Sequence, residues 1–207
     1  MARRYAEMSQ ASRPTALERQ LNGDVSSGPT PLDALRVARH HFLKPQRVDM
    51  GDVADELGVS RATLYRWVGN RDQLLGEVMW SMAALGFQNL RRTATGDGVE
   101  WFMHIYKGFG DLIVEHEPIR YFVENEPECA LRVMASRHTP HQERVINAYK
   151  EALEEAERDH GLVLKLDAET LAFVLVRIGE SYLWAELITG QKLDREKAHE
   201  VARALLT

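Results

Sequence analysis

The stretch DVADELGVSRATLYRWVGNRDQLL, residues 52–75, holds two helix starts a few residues apart. Ser60 is an N-cap, and Asn70 is a second, with Gln73 three residues on as its capping-box partner. The helix between them has about two turns, too short to persist alone in water. Gly58 ends the preceding helix and can take the left-handed conformation that redirects the chain. Ala54 is small where the next helix must cross, and Val53, Leu57, Val59 and Leu64 are spaced to point inward between two helices set at a steep angle. This is the pattern of a helix-turn-helix, whose second helix lies in the major groove of DNA. Such a helix can be short because its neighbours hold it, which leaves its outer face free. Ser60, Arg61, Ala62 and Thr63 stand at the end that enters the groove first. Arg61 suits a bidentate contact with guanine, and Ala62 or Thr63 a methyl contact with thymine. Tyr65, Arg66 and Trp67 are placed for phosphates, as is Arg71 beside the N–H groups that open the next helix.

Outward from this stretch, nearly every segment has helical period. Thr30, Pro31 and Asp33 form a helix start, followed by the stripe Leu32, Leu35, Ala38 and Phe42, and Pro45 ends that helix. Asp49 caps a second helix through Leu57, and the helix opened by Asn70 runs to about Thr93. The run TATGDG (93–98) is a break. Further helices are expected near 99–116, 118–126, 128–137, 139–160, 167–189 and 194–206, separated at Pro118, Pro127, Pro140, Gly161 and Gly190. No hairpin-like alternation and no internal repeat is present. The fold class is therefore all-α: a flexible N-terminal arm (1–30), a three-helix helix-turn-helix domain with its connecting helix (31–93), and a helical ligand-binding and dimerisation domain (94–207). In the arm, Arg3 and Arg4 can touch a polyanion, although an ordinary mobile terminus is the simpler reading.

Composition agrees with that division. No apolar run is long enough to cross a membrane, and MARRYAEMSQASRP lacks the apolar core of a secretory signal. The single cysteine, Cys129, allows no intrachain disulfide and fits a reducing cytoplasm. The net charge of −5 hides an asymmetry, since residues 1–93 carry +3 and residues 94–207 carry −8. A basic front and an acidic back suit different partners.

With those residues in view, the stretch 52–75 resembles the signature of TetR-family one-component transcriptional regulators. The resemblance covers about residues 31–93, with Ala54, Gly58, Val59, Ser60, Leu64, Tyr65, Arg71 and Leu74 at the family's usual positions. Arg71 stands where lysine is usual and Val68 where phenylalanine is. Asp49 replaces a common phosphate-contacting Ser or Thr, so that contact is not carried over, and the link between the first two helices is short and lacks its glycine. The resemblance implies a homodimer, mostly of the repressor kind, whose rear domain binds a small molecule that respaces two DNA-reading heads. It maps the dimer interface to helices 139–160 and 167–189. Residues 99–207 most resemble the ligand domain of QsdR-type regulators of lactone and quorum-signal breakdown, which implies a small, largely apolar effector such as a lactone.

The residues make two related points. Helix 167–189 is apolar on most sides, so it is expected to be buried both by its own core and by a second subunit. Phe102, Ile105, Tyr106, Phe109, Tyr121 and Phe122 gather aromatic surface among polar groups, the usual make-up of a small-molecule site. Arg177 and Glu180 lie within the most apolar helix, where unpaired charge is costly. They can pair with each other, bridge a dimer or hold a polar ligand group. Against this stand two other readings, a metal-binding helical bundle enzyme and a helical interaction module without DNA. The Glu-x-x-His pairs Glu157–His160 and Glu196–His199 sit in charged segments that read as solvated faces, and His138 and His141 flank Pro140 in an expected surface loop. Glu126 and Glu128 disfavour a Cys129 thiolate. No nucleophile elbow, phosphate loop or dinucleotide fingerprint is present, so neither catalysis nor a cofactor is expected. A module that bound protein alone would present an apolar stripe rather than Arg61, Tyr65 and Arg71.

Overall fold

Side-chain caps set where the helices begin. Thr30 and Asp33 exchange hydrogen bonds around Pro31, with Thr30 N donating to Asp33 Oδ2 at 2.9 Å, and open α1 (Pro31–Phe42). Asp49 Oδ1 accepts from Gly51 N at 2.6 Å and opens α2 (Met50–Glu56). Ser60 Oγ accepts from Thr63 N at 3.1 Å at the head of α3 (Arg61–Val68). Asn70 and Gln73 form the expected capping box of α4 (Arg71–Thr93), each accepting from the other's backbone N–H at 2.9 Å. These caps satisfy donors that a helix start leaves orphaned, which is why the boundaries follow the sequence so closely.

The computed structural model describes residues 28–189 and 194–207. Most of the N-terminal arm, with Arg3 and Arg4, lies outside the described residues, as does the break at Gly190. Six further helices follow the four above: α5 (Val99–Glu115), α6 (Glu117–Asn125), α7 (Pro127–Ala135), α8 (His141–Asp159), α9 (Ala168–Thr189) and α10 (Arg195–Leu206). Among the described residues all regular structure is helical, and no helix is long and apolar enough to cross a membrane.

Two clusters of buried side chains hold the fold. The first packs Phe42, Val53, Ala54, Leu64, Leu74 and Val78 of α1–α4. It continues without a break into Phe122 of α6 and Ala130 and Val133 of α7, so the front of the chain shares its core with the rear. The second joins Phe87 of α4 to Phe102 and Ile105 of α5, Tyr149 and Leu153 of α8, and Leu171 and Leu175 of α9. Helix α4 belongs to both. Its Gly86 lies where a Cβ would come within 2.9 Å of Leu112 Cδ1, so the glycine allows α4 and α5 to cross closely.

Helix α9 is covered on one side only by its own chain. Leu171, Ala172, Leu175 and Val176 are buried, whereas Phe173 and Ser181 are exposed and Val174, Arg177 and Ile178 are half-buried. The expected burial on all sides is therefore half met within one chain. Arg177 lies over the Phe173 ring, with the guanidinium carbon 5.4 Å from its centroid.

Candidate reading head and ligand cavity

Gly58 has φ +65°, and the turn it makes is tied back by Val59 N donating to Ala54 O at 3.0 Å. The turn sets α3 against α2 with Val53 and Leu64 fully buried between them, while Leu57 and Val59 are partly buried. Arg61, Ala62, Tyr65 and Arg66 are exposed along the outer face of α3, and Thr63 is half-buried. Ser60 serves as the cap, and its Oγ lies 3.0 Å from Thr63 Oγ1. Trp67 departs from its expected place, since its ring packs partly against the head's own core.

Gly51 is a residue the sequence reading missed. The Arg61 guanidinium lies against it so closely that a Cβ there would sit 2.2 Å from the terminal nitrogen. Asp49, the cap beside it, is held below the usual carboxylate range, first by the Gly51 N–H and more weakly by the Arg61 charge. Arg61 therefore rests at the start of α2 with its side chain exposed.

Arg71 is also not where the sequence put it. Its side chain turns into the protein instead of toward a phosphate: Nε donates to Val48 O at 2.7 Å and a terminal nitrogen to Glu126 Oε1 at 2.7 Å. The two side chains are only 17% and 14% exposed. Next to this pair, Arg132 Nε donates to Asp72 Oδ2 at 2.9 Å, and Cys129 Sγ lies 3.3 Å from Asp72 Oδ1. Burial, and the hydrogen bond to Asp72 after it, push the Cys129 thiol up to about 11. These contacts tie the start of α4 to α6 and α7. A neutralising partner for Arg71 was the natural reason to look beyond phosphate, but Glu126 is distant in sequence and only the fold brings it near.

The rear domain forms a part-open cavity of about 110 Å³ among α5, α7, α8, α9 and α10. Phe109, Ile113, Val145, Val176 and Leu183 make its walls mainly apolar, with Tyr106 and Tyr149 among them. Of the residues expected at a ligand site, Tyr106, Phe109 and Glu180 line it. Phe102 and Ile105 are packed behind it in the core, Phe122 packs edge-on against Phe42 with ring centroids 5.6 Å apart, and neither Tyr121 nor Arg177 lines it. Apolar stripes on α5 and α6 have the same period whether they face a core or a cavity, so spacing does not separate the two.

Three polar groups in this cavity were not anticipated. His141, Trp184 and His199 are 5%, 4% and 9% exposed; none of His141 Nδ1, Trp184 Nε1 and His199 Nδ1 has a hydrogen-bond partner among the described residues, although His199 Nδ1 lies 3.8 Å from Glu196 Oε1. Such orphans are costly, and three in one cavity mark a place built for a polar group. The expectation of a surface position fails for His141, which the Pro140 turn directs inward; burial pushes it down to about 4, with Arg144 adding to the effect, so it is neutral. It fails as well for His199, which lies on the inner face of α10. The two Glu-x-x-His pairs do not converge: His160 stacks on Trp101 at 4.2 Å between centroids, while His199 faces the cavity. Among the described residues no group of three His, Cys, Asp or Glu could hold a metal ion.

Arg177 and Glu180 pair with each other, with Arg177 Nη1 3.0 Å from Glu180 Oε2. Gln142 Nε2 donates to Glu180 Oε1 at 2.9 Å. Burial nevertheless raises Glu180 above the ordinary carboxylate range. Tyr106 Oη donates to Leu175 O at 3.0 Å, which fixes its ring in the wall.

The chain is similar to known regulators over most of its length. The transcriptional repressor QsdR of R. erythropolis, described as from the TetR family, shares 28% identity over 85% of this chain and 93% of its own, with a TM-score of 0.79. The TetR-family repressor AlkX of Dietzia sp. strain DQ12-45-1b has the same fold at 24% identity over 85% and 94%, with a TM-score of 0.58. No curated protein matches the chain. Residues 97–207 match the model "Tetracyclin repressor-like, C-terminal domain", more than half the sequence. A helix-turn-helix head fused through α4 to that rear domain makes the chain a member of the TetR family of transcriptional regulators.

Proposed function

We propose that the protein is a cytoplasmic, homodimeric repressor released from a palindromic operator by a small, largely apolar effector, with a lactone as the favoured class. The observation that carries the reading is the apolar cavity with three buried polar atoms that lack a hydrogen bond, one wall of which, Phe109, stacks on Phe87 of the helix that joins the rear domain to the reading head. Trp184 Nε1 can only donate, and neutral His141 can donate through Nδ1, so the cavity suits an uncharged head rich in acceptors. A lactone carbonyl with its ring oxygen is such a group.

In this reading Arg61, Ala62 and Thr63 face base edges, Tyr65 and Arg66 face phosphates, and Ser60 holds the start of α3. Two heads are held by a seam of α8 and α9, in which Phe173, Val174 and Ile178 find cover. The effector acts by binding one spacing of the heads better than the other. Purified protein selected against random duplexes at near-physiological salt should enrich an inverted repeat, and adding γ-lactones should release it. Failure to enrich any sequence, with wild type no better than an Arg61→Ala, Tyr65→Ala double variant, would remove the reading.

A further inference from the structure

A second, mainly apolar compartment, with Arg39, Asn89 and His116 also in its lining, lies on the other side of the cavity wall. It is a groove of about 340 Å³ between α1 and α4 on one side and α5, α6 and α7 on the other. Four residues, Phe109, Ile113, Met134 and His141, line both spaces, so the partition is a single layer of side chains. Leu43 just after α1, Leu85 of α4 and Leu112 of α5 are 42%, 51% and 44% exposed and all border this groove. Exposed large apolar residues that converge on one concave place call for an occupant. Met79, Met82 and Met134 add unbranched, adaptable walls suited to a flexible chain.

Resting on the effector reading above, we propose that the effector is an amphiphile: its uncharged head sits against His141, Trp184 and His199, and its alkyl tail passes the Phe109–Ile113–Met134 partition into the groove between α4 and α5. Continuity of the two walls is what selects the tail of the same molecule as occupant. The first cavity is small and its polar atoms face the head, so the tail of a long ligand extends beyond it. The groove is the adjoining, mainly apolar space, and Met134 is the unbranched, adaptable side chain of the partition. A tail there lies against Met82, Ala83 and Leu85 on the helix that carries the reading head. Tail length, rather than head chemistry alone, then sets how strongly the ligand displaces α4.

The test is calorimetric titration of the full chain with γ-lactones whose alkyl tails run from methyl to decyl. Affinity should rise by about fourfold for each methylene that enters buried apolar surface, and keep rising to long tails. Met82→Trp and Leu112→Trp, which fill the groove from opposite walls, should keep the affinity for short tails and abolish the rise for long ones. Leu183→Trp, which fills the first cavity, should weaken every member. Levelling off at short tails in wild type, or an undiminished rise in both groove variants, would overturn the tail site while leaving the head site intact. Lactones that bind Leu183→Trp as well as wild type, or no binding of any member, would remove the effector reading and this proposal with it.

Discussion

Burial of His141 makes its protonation part of the folding equilibrium. Its pKa falls from 6.5 to about 4 on folding, mainly through burial. Between those values the unfolded chain binds the proton and the folded chain does not, so stability falls as pH drops through this window. Going from pH 7 to pH 5 should cost about 2 kcal/mol at this residue. Urea unfolding of His141→Gln should lack that increment; an identical pH dependence in the variant would mean that the ring is not buried neutral. On α3, Arg61→Ala should cost about 1–3 kcal/mol on the preferred operator and relax base preference at one position. Equal losses on all duplexes would reassign Arg61 to the phosphates. The Arg61 guanidinium also depends on Gly51, since a Cβ there would collide with it in its present position.

At the scale of an element, α4 is the part that the proposed effector would move, and it is held by charge along its length. Arg71 pairs with Glu126, Asp72 with Arg132, Glu77 with Arg144 at 2.7 Å, and Arg91 with Glu155. Glu77 is 5% exposed, so its carboxylate depends on Arg144, which also lies 5.9 Å over the Trp80 ring. These pairs fix α4 against α7 and the residue before it, and against α8. A double-mutant cycle on Arg71→Ala and Glu126→Ala, read by urea unfolding, should give a coupling of about 1.5–3 kcal/mol, the range for hydrogen bonds to charged groups. Arg71→Ala should also leave the salt dependence of operator binding unchanged. A lower salt slope would place its guanidinium on a phosphate in the complex.

For the whole molecule, the half of α9 that its own chain leaves open is the proposed seam of a dimer. Phe173 is 52% exposed at its centre. Phe173→Glu should convert the dimer to monomers in sedimentation equilibrium and weaken operator binding sharply, because one head alone contacts only half a palindrome. An unchanged mass would move the seam elsewhere. Much of this architecture is written locally. Caps at Thr30, Asp49, Ser60 and Asn70, the turn at Gly58 and the 3.6-residue stripes act within a few residues, and so they mark the helix boundaries, the reading head and the family signature in the sequence. The ligand site was legible only in part, because the period that marks Tyr106 and Phe109 also marks Phe102 and Ile105. Which of them faces a space depends on α8, α9 and α10 arriving from far along the chain. The same distance in sequence hid the partners of Arg71 and Glu77, and it hid the inward turn of His141 and His199, whose neighbours are charged. Local hydrogen bonding and periodicity by themselves determined an all-helical, DNA-reading chain. Only tertiary packing decided where its cavity lies, which polar groups stand in it unpaired, and which charges lock its two halves together, because burial and pairing are properties of groups brought together by the fold.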